Sequence, residues 1–118
     1  MIKIFYKNRN QRHFRGKKTN VRGKIKIHPH YIVGENESKY ASLGITHDKY
    51  KGRKHPNYEL KSNPKKDDNS IAYLRKQIEV SPKKLYTIYR YNDYKMFSKD
   101  DDYVDQLVEK KKNYKSKK

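Results

Sequence analysis

Cysteine is absent from the 118 residues. That removes disulfides, thiolate nucleophiles and cysteine-ligated zinc in one step. No run approaches the roughly 18 apolar residues of a membrane helix, and no signal-peptide core appears, so a soluble cytoplasmic protein is expected. Apolar residues are scarce as well: they make up 32 % of the chain, below the ~45–50 % usual in globular domains. Acids are missing from the whole N-terminal stretch. Ten Lys or Arg precede residue 27, and the first acid is Glu35.

The length fits one domain. With so few aliphatic residues its core must be small, and the twelve tyrosines must supply part of it, each burying a ring while keeping a polar tip wet. Thirty-one Lys plus Arg against thirteen Asp plus Glu give a net charge of +18 and a pI near 9.9. Self-repulsion on this scale destabilises a compact chain unless a polyanion cancels it. Nucleic acid, an acidic protein and an anionic membrane are the candidates. A membrane binder would need a basic helix with an apolar face, and none is legible. A lysine-rich composition without any partner accounts for part of the excess.

Along the chain, "MIKIFYK" alternates like an edge strand. "NRNQRHFRGKKTN" (residues 8–20) has almost nothing to bury and reads as a loop or mobile basic arm. Residues 25–47 read as a hairpin, with a kink or bulge near Pro29 and a turn at "ENES". Residues 48–70 read as a long loop with a short strand at Tyr58–Leu60. "SIAYLRKQIEV" and "PKKLYTIYRY" read as two further strands. "FSKDDDYVDQLVEKKKN" holds a helix with Ser98 as N-cap, Asp101 at the capping-box position and an apolar stripe at Val104, Leu107 and Val108. The expected organisation is a short strand and basic arm over 1–23, a β-rich domain, a small barrel or sheet, with its C-terminal helix over 24–112, and a basic tail over 113–118.

The expected phosphate contacts are Arg9, Arg12, Arg15, Lys17 and Lys18 in the arm, Arg22, Lys24 and Lys26 beyond it, and Arg53 and Lys54 in the long loop. Tyrosines interleaved with these cations suit stacking on single-stranded bases, and Tyr50, Tyr58, Tyr91 and Tyr94 are the expected exposed ones. Tyr31 and Tyr73, in apolar runs, are assigned to the core.

Chemistry is available in the hairpin. Metal-independent RNA cleavage uses the 2′-OH as nucleophile. It needs a base near that oxygen, an acid near the leaving 5′-oxygen, and donors for the developing charge. His28 and His30 are two apart, so an extended chain points both to one face. Thr46 and His47 end the returning strand. The bland alternative is surface histidines capping a strand. No metal is expected: His-x-His recurs in metal sites, but only Asp48 lies close in sequence and no ligand set closes. No cofactor is expected either.

In order, "HPHYIVG", a turn and "SLGITH", then "SIAYLRKQIEVSPKKL" and "YKMFSKDDDYVDQLV", resemble the PemK/MazF-like proteins over roughly residues 24–110. The resemblance implies a mainly β fold, a small SH3-like barrel with a C-terminal helix. It implies a sequence-selective endoribonuclease that needs no metal, acts as a homodimer and is neutralised by an antitoxin, here an acidic protein. The family's catalytic pair is a basic residue opening the first hairpin strand and a Thr or Ser closing the next. These positions fall on His28, where the toxins usually carry Arg before the Pro, and Thr46. The rival reading is a non-catalytic module on the same fold that coats RNA or DNA, or a mobile-element inhibitor that occupies a ribonucleoprotein machine.

Overall fold

The computed structural model describes residues 3–50, 55–63, 70–88, 91 and 93–116, the last stretch with side chains to residue 112. Its elements are β1 (Phe5–Tyr6), β2 (His13–Val21), β3 (Lys24–Glu35), β4 (Lys39–Thr46), β5 (Tyr58–Glu59), β6 (Tyr73–Leu74), β7 (Glu79–Pro82), β8 (Tyr86–Thr87) and α1 (Ser98–Ser116). The fold is mainly antiparallel sheet with one C-terminal helix. The strands run in the order β5-β6-β4-β3-β2-β8, with β1 added to β3 and β7 to β4. β5 and β8 end this order without pairing to each other, so the sheet is not closed among the described residues.

The hairpin expected over 25–47 is β3 and β4. The bulge is displaced from its expected place. Pro29 pairs in register with Gly16, and β4 begins to pair one residue later, at His30. The register shift falls instead between Ile32 and Gly34.

The basic arm is the larger correction. Most of the 8–20 stretch expected as a loop or mobile arm belongs to β2 (His13–Val21), which lies between β3 and β8. Its inward positions are Phe14, which packs against Tyr31 with ring centroids 4.7 Å apart, and Gly16. A Cβ on Gly16 would lie 2.5 Å from Tyr91 Cε2, so only glycine fits under that ring. One aromatic and one glycine are too sparse an apolar signal to reveal a strand in a run of cations. At the tip, Arg22 (φ 53°) and Gly23 (φ 80°) both adopt positive φ, as a two-residue type I′ turn requires.

Strand alternation gives the sheet two different faces. Tyr31, Val33, Ala41, Leu43 and Ile45 join Leu60, Leu74, Val104 and Val108 in the main core under α1. Ile32, Tyr40 and Tyr86 form a small cluster on the opposite face. His28, His30, Ser42, Gly44 and Thr46 fall on that second face by the same alternation.

The acidic start of α1 ties the helix to the sheet. Phe97 O accepts the first helical bond, from Asp101 N at 3.1 Å, so Ser98 lies inside the helix and is not the expected cap. Asp101 makes no capping box; its Oδ1 accepts from Tyr31 Oη at 2.7 Å and from Arg12 at 3.4 Å. Asp100 is fully buried. Its carboxylate accepts from Tyr58 Oη (3.1 Å), Lys61 N (2.9 Å), Ser62 N (2.9 Å) and Ser62 Oγ (2.8 Å), which fixes the 58–62 loop to the helix. Tyr58 also stacks on Tyr103 at 4.0 Å. Of the tyrosines expected outside, Tyr50 is exposed, whereas Tyr91 is buried and Tyr94 packs on the core. The scarcity of aliphatic side chains drew them in. No helix among the described residues is long and apolar enough to cross a membrane.

Asp100→Asn would turn an amide NH2 toward groups that are themselves donors. It should cost about 2–4 kcal/mol, whereas Ser98→Ala, which loses only a contact to Arg9, should cost under about 0.5 kcal/mol. Urea melts of the two variants decide it; equal effects would mean that Asp100 does not hold the loop.

Candidate functional site

An open cleft of about 500 Å³ lies on the sheet face away from α1. The four histidine and threonine positions singled out by sequence, His28, His30, Thr46 and His47, all line it. Lys17, Thr19, Arg75 and Glu79 complete its polar wall. The convergence follows from register. Lys17 is opposite His28 on β2 and β3, and His30 is opposite Gly44 on β3 and β4.

His30 is the most buried of the four, at 7 % exposure. Its Nδ1 lies 3.0 Å from Ser42 Oγ, which lies 3.0 Å from Tyr86 Oη, and 3.4 Å from Glu79 Oε1. Burial pushes its pKa down to about 4; the Glu79 carboxylate opposes this, while Lys17, His28 and Arg75 act with burial. The ring is therefore neutral at neutral pH, and the Glu79 contact there is a dipolar contact, not an ion pair. Glu79 takes its charge partner from Lys17, at 3.0 Å.

Thr46 Oγ1 accepts from Asp48 N at 3.1 Å, which leaves its hydroxyl proton to be donated elsewhere. His47 Nδ1 donates to Ile71 O at 3.1 Å, which places a proton on Nδ1 in either charge state. Among the described residues no group of three or more His, Asp or Glu is placed to hold a metal ion.

The cations divide into two sets. Arg9 bonds Asp105 (2.9 and 2.6 Å), Asp102 and Ser98 Oγ (3.3 Å). Its side chain is 39 % exposed, so part of it stays wet. Arg12, with a 3 % exposed side chain, pairs with Asp105 at 2.8 Å and Asp101 at 3.4 Å. Arg15 donates to His13 Nε2 at 2.8 Å and lies over the Tyr40 ring. Lys17 is held by Glu79. These four sequence candidates are engaged within the fold. Lys18, Arg22, Lys24 and Lys26 are exposed on the β2–β3 hairpin, and no ion pair engages them among the described residues. Arg53 and Lys54 lie outside the described residues.

Sequence reasoning missed Arg75, Glu79, Ser42 and Tyr86. Ser42 was within reach, because it shares the two-residue alternation with Thr46. Arg75 was hidden because residues 70–80 read as one strand, while the structure breaks it between β6 and β7, so its face could not be assigned. Comparison with protein-family models, with curated proteins and with solved structures gives no match for this chain.

A histidine near 4 when folded and near 6.5 when unfolded binds fewer protons in the folded state between those values. Stability is then full above about pH 6.5, falls as the pH drops toward 4, and levels below; the loss attributable to His30 is on the order of 3 kcal/mol. Burial lowers His13 in the same direction. Denaturant titrations from pH 7 to 4 should show this acid limb, and His30→Gln should flatten most of it. An unchanged limb would mean that His30 is not buried neutral.

Proposed function

We propose that the protein binds single-stranded RNA along the β2–β3 hairpin and cleaves it in the cleft without a metal, as an endoribonuclease of the PemK/MazF type. One observation carries this reading. Three imidazoles, two threonine hydroxyls and two cations, drawn from β2, β3, the end of β4 and the segment after β6, share one open cleft. The fold is read with it as an SH3-like barrel left open between β5 and β8.

In the reaction the 2′-oxygen attacks the adjacent phosphorus and the P–O5′ bond breaks. One imidazole takes the 2′-OH proton and another supplies a proton to the 5′-oxygen, while hydroxyl and cationic donors stabilise the pentacovalent charge. No water enters this step, so the products are a 2′,3′-cyclic phosphate and a 5′-hydroxyl. Neutral His30 is in the form a general base needs, oriented by Ser42 and Glu79. His28 opposite Lys17 and Thr46 with an oriented hydroxyl are suited to the leaving oxygen and the phosphate. On this reading the protein acts in the cytoplasm as a homodimer, checked by an acidic antitoxin for which the +18 charge is the complement.

The second reading is a binding-only module of a ribonucleoprotein. Its support is the position of Lys18, Arg22, Lys24 and Lys26 on the hairpin, which would hold a phosphate backbone whether or not the cleft does chemistry.

Purified protein should cut a pool of random single-stranded RNAs in EDTA and leave the two ends named above. His28→Ala and Thr46→Ala should each slow cleavage by about 100-fold or more while binding changes little. Intact RNA at high protein concentration, with tight binding retained, would select the second reading.

Binding should be steeply salt-dependent. Replacing Lys18, Arg22, Lys24 and Lys26 by Ala should flatten the slope of log K against log salt by about 3. Arg9→Ala should leave that slope nearly unchanged, because Asp102 and Asp105 already neutralise the guanidinium. A larger effect from Arg9 would move the RNA track from the hairpin to the edge of α1.

A further inference from the structure

Two cations line the cleft, Lys17 and Arg75, and their surroundings differ. Lys17 is bound to Glu79 at 3.0 Å. The Arg75 guanidinium has neither a hydrogen bond nor an ion pair among the described residues. Other arginines near the sheet, Arg9, Arg12 and Arg15, are all engaged by acids or by a histidine. A half-buried arginine with nothing to bind, at the wall of a cleft that holds three histidines, is placed for an anion that comes from outside.

Its position is also set by the backbone. Arg75 N donates to Gly44 O at 2.9 Å, which clamps the residue against β4 just beyond β6. Gly44 leaves room for the stem. A Cβ there would lie 3.2 Å from Arg75 Cδ and 3.4 Å from His30 Cε1, so the arginine stem and the His30 ring flank the same bare glycine. His30 also feels the charge, since Arg75 is among the groups that lower its pKa. Burial alone would leave this ring neutral; the neighbouring guanidinium reinforces it.

We propose that Arg75 is a catalytic residue of the cleft: its guanidinium holds the non-bridging oxygens of the scissile phosphate and stabilises the charge that builds there as the 2′-oxygen attacks. The proposal rests on the reading of the cleft as an RNA-cleaving site. The planar fork presents two parallel N–H donors to two phosphate oxygens, a geometry lysine cannot reproduce. Arg75 moves no proton. The base and acid remain imidazoles, and the arginine serves the phosphoryl oxygens only. Its pairing with incoming phosphate explains why a cation is left without a partner in a protein that pairs its other cleft cation.

The test is single-turnover cleavage of a short single-stranded RNA in EDTA by wild type, Arg75→Ala, Arg75→Lys and His28→Ala, with binding measured on the same sequence carrying a 2′-deoxy residue at the cleavage site. Arg75→Ala should lower the rate by about 100- to 1,000-fold, Arg75→Lys should recover only part of it, and binding should change by less than about tenfold. Replacing a non-bridging oxygen of the scissile phosphate by sulfur should slow wild type and have much less effect on Arg75→Ala, a signature that a merely structural arginine would not give. Thermal melts of all variants should coincide. If His28→Ala is inactive and Arg75→Ala cuts at the wild-type rate, or keeps the wild-type sulfur effect, the assignment of Arg75 is wrong and the cleft reading stands. If wild type itself does not cut RNA, both fall.

Discussion

A single hydroxyl–carboxylate contact, Tyr31 Oη to Asp101 at 2.7 Å, joins β3 to the first turn of α1, and much of the molecule is arranged around it. Arg12 reaches the same carboxylate, so the start of β2 converges on the point where the helix meets the sheet. Burial raises the pKa of both partners, Tyr31 and Asp101, the tyrosine with further help from the carboxylate, as expected for a polar pair held in an apolar setting. One residue earlier, Asp100 closes the 58–62 loop onto the helix with four accepted hydrogen bonds. A chain with few aliphatic side chains thus seals its core with tyrosine rings whose hydroxyls end on helix carboxylates.

This arrangement fixes the other face of the sheet. Tyr31 faces α1, so His30 must face away from it, and a slip of one residue would exchange them. Phe14 against Tyr31 and Gly16 under Tyr91 hold β2 in the matching register, which sets Lys17 beside His28. The cleft is therefore a consequence of how the helix is anchored. Its histidines keep their relative positions because the residues between them are bound to the core.

How much of this was legible in the sequence depends on how local the signal was. The β3–β4 hairpin and α1 carry dense apolar patterns, and both were read within a few residues. The shared face of His28 and His30 followed from alternation alone. β2 was not legible, because its inward positions are one phenylalanine and one glycine, and its strand character comes from pairing with β3. The fate of Arg9 and Arg12 was equally hidden. Their partners, Asp101, Asp102 and Asp105, lie some ninety residues away, and nothing local distinguishes an arginine that will meet an aspartate from one that will meet a phosphate. Ser98 misled for a related reason. It has the chemistry of a cap, but the first helical bond goes to the carbonyl of Phe97.

The few acids decide which cations are left without an acidic partner among the described residues. Three of the four aspartates of α1, Asp101, Asp102 and Asp105, engage Arg9 and Arg12. Glu35 engages Lys7 and Lys83, which hold its pKa down to about 2, and Glu79 engages Lys17. These pairs bind one element to another, and the Lys17–Glu79 pair does so in the wall of the cleft. The β2–β3 hairpin has no carboxylate anywhere along residues 13–34, and Arg75 forms no ion pair among the described residues, although Glu79 lines the same cleft. Lys18, Arg22, Lys24 and Lys26 thus line a ribbon that carries no acid, and Arg75 adds a cation to one wall of the cleft, beside exposed lysines elsewhere such as Lys76, Lys84, Lys95 and Lys99. Because His28 stands on that ribbon's inner end, opposite Lys17, a strand of nucleic acid drawn along the hairpin by its phosphates would be led toward the imidazoles.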